Sequence, residues 1–174
     1  MTAEVIERLN QLLERLHDVR ARVPTFPPGT VGNAEFMTGP HYPTKVSFHF
    51  DPPLTDNVRT RLNAAGRWIN EATVVFLVAT LRAHDVVKEN LSEREGLDGV
   101  EHVRIAKKLR HILLKEGGAY KADKAEHRHV MATLVKLYGV PSSDTEYPLD
   151  IDKILIPMIE GCQRYAKACA ATSS

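Results

Sequence analysis

Cysteine is scarce in this sequence, and its scarcity excludes a disulfide framework. The only two are Cys162 and Cys169, and seven residues on one predicted helix separate them by about 10 Å along the axis. A disulfide requires Cα atoms within about 7 Å. We therefore expect two unpaired thiols in a reducing cytoplasm. The first residues mix acidic and basic side chains ahead of any apolar run, which is not the pattern of a secretory signal.

Long apolar runs and an excess of charge are also missing. The longest apolar-leaning run, Ala72 to Leu81, is too short to span a bilayer, so no membrane association is expected. Lys+Arg 23 against Asp+Glu 22 leaves a net charge of +1. This balance excludes a protein held to nucleic acid by bulk charge, but it permits a local basic face.

Several motifs of catalysis and metal binding are absent. The sequence has no glycine-rich phosphate loop, no CxxC pair, and no HExxH or GxSxG motif. His41 and His49 have no thiol or carboxylate at ligand spacing, so they are interpreted as ordinary loop and strand residues. His127 and His129 diverge by about 200° on a helix, which disfavours a shared metal site. No metal and no cofactor is predicted.

Helical periodicity dominates what is present. The 174 residues predict one mainly α domain over 1–174, a five-helix bundle-like arrangement with an irregular Pro/Gly-rich insertion at 24–54. Alternation in Thr44–Phe50 favours a short strand and hence a β-hairpin within Glu35–Phe50. The helices are expected over Met1–Val23, from a cap at Thr55 or Asp56 to about Asn90, from a cap at Asp98 to Gly117-Gly118, from a cap at Asp123 to Gly139, and over Asp150–Ala171 with a kink or restart at Pro157.

The second predicted helix is apolar on more than one side. Residues Thr73 to Leu81 are apolar nearly all round, which predicts a central helix contacted from several directions. Trp68 has two interpretations, an exposed aromatic–cation pair with Arg67 or, as is commoner for Trp on a helix, a core or interface anchor. Apolar residues recur at helical spacing at Leu62, Ala65, Ile69, Ala72, Phe76, Ala79 and Val86.

The third predicted helix has two opposed faces. One is an apolar stripe at helical spacing, Val103, Ala106, Leu109 and Leu113. The other, which we call the basic face, gathers Arg104, Lys108, His111 and Lys115. Arg110 falls at the border of the apolar side. This helix is the part of the chain from which a function can be argued.

The basic face contains what metal-free RNA cleavage requires. Nearby cations lower the pKa of a histidine and favour the neutral imidazole, which can take a proton from a ribose 2′-OH. The freed oxygen attacks the adjacent phosphorus, and arginine stabilises the charge that develops on the phosphate. The same residues are also the ordinary solvent side of an amphipathic helix, so the residues alone leave both interpretations open.

The run R-I-A-K-K-L-R-H-I-L-L-K-E-G-G-A-Y, from Arg104 to Tyr120, resembles the signature segment of HEPN-domain proteins. The resemblance spans Thr55–Ala170 and includes the run D-K-I-L-I-P-M-I-E-G-C-Q-R-Y-A near the C-terminus. It implies a helical, commonly dimeric protein with an arginine, four to six residues, then a histidine. It also implies metal-independent endoribonuclease activity in toxin–antitoxin or antiviral systems, or a non-catalytic RNA-binding member. The implied partners are a second copy, RNA, and a protein partner or antitoxin.

The motif aligns with this chain in two ways. Arg104 followed by six residues and His111 meets the outer limit of the spacing. Aligning Arg110 and His111 with the family's Arg-His pair instead puts Lys115 where a histidine is expected, and a charged lysine is a poor base. We predict catalytic roles for Arg104, Arg110 and His111, and RNA-binding roles for Lys107, Lys108, Lys115 and Tyr120. The alternative is a non-catalytic dimeric module that binds RNA or a protein through the basic face.

Overall fold

The computed structural model describes residues 2–22, 25–37, 45–87 and 94–172. Over these ranges the chain is mainly helical with one small antiparallel hairpin, which confirms the predicted fold class. The helices are α1 (Thr2–Arg22), α2 (Asp56–Ala83), α3 (Val100–Glu116), α4 (Ala125–Tyr138) and α5 (Ile156–Ala171), with a π-helical turn (Ile151–Leu155) leading directly into α5. The strands are β1 (Asn33–Met37) and β2 (Lys45–His49).

Buried side chains from all five helices join in one hydrophobic cluster. Helix α3 lies against α2, α4 and α5, and α1 lies against α2 and α5. Helix α3 is therefore one of the central helices, and it also carries the basic face. The fully buried large side chains include Leu9, Leu77, Leu81, Ile105, Leu109, Ile112, Leu134, Met158 and Tyr165.

The insertion forms the predicted hairpin and is attached to α2. Strands β1 and β2 pair in antiparallel register from Asn33↔His49 to Met37↔Lys45. Phe26 is buried against aromatic rings of the hairpin region, Phe36, Phe48 and Phe50. The backbone N–H of Phe26 donates to the Asn63 side chain (2.8 Å), and the Asn63 amide donates back to the Phe26 carbonyl (3.0 Å). The prediction for His41 lies outside the described residues, while His49 bonds Asn33 within the hairpin.

Helix α2 begins as predicted and ends earlier than predicted. The Thr55 side chain accepts a hydrogen bond from the Val58 N–H, which confirms the cap. The predicted end near Asn90 is wrong, because the helix stops at Ala83 and Asp85 adopts a positive φ of 56°. The Val86 N–H then bonds back to the Leu81 carbonyl, and this reversal places Val87 in the core.

The predicted cap of α3 at Asp98 is wrong, and the N-cap is Gly99. Gly99 has a φ of 83°, and a Cβ there would stand 2.0 Å from the Gly161 carbonyl oxygen of α5. Only glycine combines this left-handed conformation with so close an approach. A Cβ on Gly161 would in turn stand 2.2 Å from the His102 ring. Asp98 faces Arg164 instead, at 3.3 Å.

The predicted cap of α4 at Asp123 is also wrong. The helix starts at Ala125 after Lys124, with no side-chain cap. The backbone carbonyls of Ala122 and Asp123 accept hydrogen bonds from the Arg128 guanidinium (2.8 and 2.9 Å). The side chain of Arg128, one turn into the helix, thus binds the preceding loop, and Asp123 contributes its backbone rather than its carboxylate. The helix ends before Gly139, as predicted.

Pro157 restarts the last helix, as predicted. It lies in the first turn of α5, a position that the fixed φ of proline suits. The Asp150 carboxylate caps the π-helical turn by accepting from the Lys153 N–H (2.8 Å). Cys162 and Cys169 are both free thiols, and burial raises the pKa of Cys162. None of the described helices combines the length and apolar character needed to cross a membrane.

One side of α2 is uncovered by the described residues. The helix contacts α1, α3 and the π-helical turn, so it is central as predicted. Trp68 and Phe76 nevertheless remain 69% and 63% exposed. Arg67 pairs with Glu146, and Trp68 does not belong to the core. Exposure of this apolar side is the main departure of α2 from its predicted surroundings.

Candidate functional site

Helix α3 has the two faces that its sequence predicts. Val103, Ala106 and Leu109 are buried and Leu113 is partly buried, with Ile105 and Ile112 widening the inner side. On the opposite side, Lys108, His111 and Lys115 are exposed. They follow one another at three and four residues, so they rise by about 4.5 Å and 6 Å along the axis. The basic face is thus a solvent-exposed row of one histidine between two lysines.

Arg104, the fourth member of the basic face, is held by two carboxylates of the chain. Its guanidinium contacts the Glu95 side chain and donates a hydrogen bond of 2.9 Å to Glu101. The hydrogen bond to Glu95 is the main cause that raises the pKa of Arg104; burial opposes it, and the charge of Glu95 and the contact with Glu101 add to it. A phosphate at this guanidinium would compete with both carboxylates and be repelled by their negative charge.

Sequence reasoning missed both partners of Arg104. Glu101 lies three residues before it, a spacing at which opposite charges on a helix meet, so that partner had a detectable signal. Glu95 lies nine residues before it, in the loop preceding α3, and no spacing rule indicates such a contact. Both carboxylates lie beside the residue that an endoribonuclease would use to stabilise the phosphate.

The predicted catalytic residues are not brought together in a single copy. Arg104 and His111 lie on the same side, yet seven residues separate them by about 10 Å along the axis. Arg110 lies at the border of the inner side, as predicted: it is half-buried, and its buried Nε has no hydrogen-bond partner. No compact pair of base and phosphate-binding cation is therefore formed.

The predicted RNA-binding residues divide into two groups. Lys108 and Lys115 belong to the exposed row, and Lys107 is half-buried at its edge. Tyr120 lies beyond the end of α3 in an aromatic cluster, with its ring centroid 5.5 Å from that of Tyr147 and 6.1 Å from that of His127. The structure thus gives Tyr120 a packing role at the connection between α3 and α4.

A polar cluster that sequence reasoning missed fixes that connection. Glu116, the last residue of α3, accepts hydrogen bonds from Lys121 (2.6 Å) and Lys124 (2.7 Å), which lower its pKa to about 2. His127 is fully buried, and its Nδ1 accepts from the Lys121 backbone N–H (3.1 Å), so a neutral ring carries its proton on Nε2, 3.4 Å from Glu116. Among the described residues, no group of three or more His, Cys, Asp or Glu could hold a metal ion.

Comparison with known proteins adds no relative. The chain matches no protein-family model, no curated protein and no solved structure. The resemblance of Arg104–Tyr120 to the HEPN signature therefore stays a prediction, and function has to be argued from the geometry of α3.

Proposed function

We propose that this protein binds RNA through the basic face of α3 and does not cleave it. The observation that carries the proposal is the exposed row of Lys108, His111 and Lys115 on one side of a helix whose other side is firmly buried. Two lysines held on one side of a helix suit the phosphates of an extended strand. Because the net charge of the chain is only +1, we expect binding to depend on this row and to weaken as the salt concentration rises.

Binding is favoured over cleavage by the surroundings of Arg104. An endoribonuclease needs a cation free to stabilise the charge that develops on the phosphate. Arg104 is engaged by Glu95 and Glu101, and in the alternative alignment a lysine, Lys115, stands in place of the histidine. In the first alignment the arginine is already engaged by carboxylates, and in the second the histidine is missing. Neither alignment supplies both members of the catalytic pair.

A metal-independent endoribonuclease is the second candidate, and the exposure of His111 favours it. The imidazole is open to solvent, with Lys108 and Lys115 about one turn away on either side. Cleavage would require a phosphate to compete with the two carboxylates for Arg104. Such an enzyme would fit a toxin–antitoxin or antiviral system, with an antitoxin as protein partner. If it exists, the purified protein cuts single-stranded RNA in EDTA, and His111→Ala abolishes cutting without changing the circular dichroism spectrum.

Binding is tested by fluorescence anisotropy with a labelled single-stranded RNA, in EDTA, over a series of salt concentrations. The double variant Lys108→Gln/Lys115→Gln removes two cations from the row. Each lost phosphate contact should flatten the plot of log Kobs against log salt by about 0.7 for a single strand. We therefore expect a slope smaller by about 1.4 and an affinity at least about tenfold lower.

The matched control is Lys136→Gln/Lys167→Gln, which removes two exposed lysines from α4 and α5. It should bind RNA as the unmodified protein does. Equal losses in the two double variants would mean that only total charge matters. Wild-type protein that fails to bind RNA would remove the proposal altogether.

A further inference from the structure

Helix α2 presents an exposed apolar face. We call this the α2 outer face: Ala65, Trp68, Ala72, Phe76, Ala79 and Ala83, which recur at helical spacing. It runs for about 27 Å along the helix. Trp68 and Phe76 are 69% and 63% exposed, and no charged side chain interrupts the row between Ala65 and Ala83. A continuous apolar patch containing two aromatic rings is typical of a surface that contacts another molecule.

Five residues of the α2 outer face, from Ala65 to Ala79, are spaced symmetrically about Ala72. From Ala65 the spacings to Trp68, Ala72, Phe76 and Ala79 are three, four, four and three residues. Small and aromatic residues therefore alternate identically in both directions from Ala72. At 100° per residue, Trp68 and Phe76 also lie about 40° to opposite sides of the line through Ala72.

This symmetry fits a second copy of the same chain running in the opposite direction. A two-fold axis at Ala72 places Trp68 level with Phe76 of the second copy. Because the two rings lean to opposite sides of the centre line, they lie side by side instead of colliding. The alanines allow the helix axes to approach closely between them. We propose that a second copy covers the α2 outer face, with the two α2 helices antiparallel and crossing at Ala72.

Charge and area support the same occupant. Arg61 is exposed at the N-terminal end of this side of α2 and would meet the C-terminal end of the other helix, where carbonyl groups and the exposed Asp85 attract a cation. The exposed parts of Trp68 and Phe76 provide roughly 250 Å² per copy, estimated from typical aromatic side-chain areas. That is nearly a third of the roughly 800 Å² that each partner contributes to a standard interface. Flanking alanine and valine side chains add to it.

The inference is independent of RNA binding by α3, so either proposal can fail alone. Its first test is the solution mass of the full chain by analytical ultracentrifugation, with Phe76→Glu as the disrupting variant. Leu114→Glu is the matched control, since Leu114 is an apolar residue 57% exposed on α3. We expect twice the 19.5 kDa chain mass for the wild type and the control, and a dissociation constant at least about 100-fold higher for Phe76→Glu.

A wild type that is monomeric at about 100 µM, a concentration that should saturate any stable dimer, would overturn the proposal. So would an equal effect of Leu114→Glu. Trp68 offers a second readout because it is the only tryptophan. Its emission should shift to the red on dilution and stay red at every concentration in Phe76→Glu. Emission that never changes with concentration contradicts burial of Trp68 by a second copy.

Disulfide cross-linking tests the antiparallel arrangement, in a Cys169→Ser background that leaves only the buried Cys162. Ala72→Cys should cross-link to itself, because the axis brings the two copies of residue 72 together. Ala65→Cys alone should not, since its two copies are about 21 Å apart. A mixture of Ala65→Cys and Ala79→Cys should cross-link. Self-cross-linking of Ala65→Cys would indicate parallel helices and overturn the proposed geometry.

Discussion

The outer sides of α2 and α3 differ in how favourably water solvates them. The basic face of α3 consists of charged and polar groups that water solvates, and its arginine has two carboxylate partners within the chain. The α2 outer face exposes two aromatic rings that the described residues leave uncovered. Exposed lysines need no partner to be stable, whereas a continuous apolar surface is unusual without one. The apolar face is therefore the stronger indication of an interaction, although the basic face has the more specific chemistry.

The largest expected effect is on the free energy of unfolding, and it distinguishes the buried side of α2 from its exposed side. Leu77 is 1% exposed, so Leu77→Ala should lower the free energy of unfolding by about 2–5 kcal/mol. Its neighbour Phe76 points outward, and Phe76→Ala should cost under about 1 kcal/mol in the monomer, as surface changes do. Urea unfolding at a protein concentration below the dimer dissociation constant measures both. Equal losses would mean that part of the chain covers Phe76, and the contrast between the two sides would disappear.

The next effect is on the pH dependence of stability, and it distinguishes His102, the half-buried histidine of α3, from the exposed His111. Burial, aided by Arg164 and opposed by Asp98 and Glu101, lowers the pKa of His102 from 6.5. The folded protein then takes up a proton at this site less readily than the unfolded chain. The stability contributed by neutral His102 is complete above pH 6.5 and is lost as the pH falls through its lowered folded pKa.

The measurement compares the free energy of unfolding at pH 7.5 and pH 5.5. His102→Gln should lose less stability on acidification than the wild type, because glutamine can still bond Tyr138 without titrating. His111→Gln, which changes the histidine of the basic face, should follow the wild type. A wild-type pH dependence in His102→Gln would show that another group is responsible.

The smallest effect on stability concerns the carboxylates that hold Arg104. Glu95→Gln/Glu101→Gln should barely change the unfolding midpoint, because exposed ion pairs contribute little. The same change removes two negative charges from beside the Arg104 guanidinium, so RNA affinity should rise several-fold. Glu14→Gln/Asp18→Asn, two acidic residues of α1, is the control for total charge. Unchanged affinity would exclude Arg104 from the binding surface.

Much of the fold was accessible from local patterns. The limits of α1, the cap at Thr55, the hairpin and the restart at Pro157 all depend on residues close together in the chain. The wrong predictions depend on distant residues. Gly99 replaces Asp98 as the cap of α3 because the carbonyl of Gly161 lies against it. The end of α2 at Ala83 reflects burial of Val87, which helical periodicity does not reveal.

The candidate site was predictable in outline but not in its ion pairs. Lys108, His111 and Lys115 share one side because the helical repeat requires it. Engagement of Arg104 by Glu95 depends on the path of the loop before α3, which has no periodic signal. Periodicity likewise detects the apolar sides of α2 without showing which of them meets the core, so the exposure of Phe76 emerged only from the structure.

Because α3 and α5 lie so close together, the residue types that three positions can accept depend on one another. A methyl group at residue 161 would occupy the space of the His102 ring, so an alanine there is acceptable only in a sequence whose residue 102 is smaller. Losing that ring also removes the partner of the Tyr138 hydroxyl, 2.9 Å from His102 Nδ1. In a library of variants, residues 102, 138 and 161 should therefore change as a set, and residue 99 should remain glycine throughout.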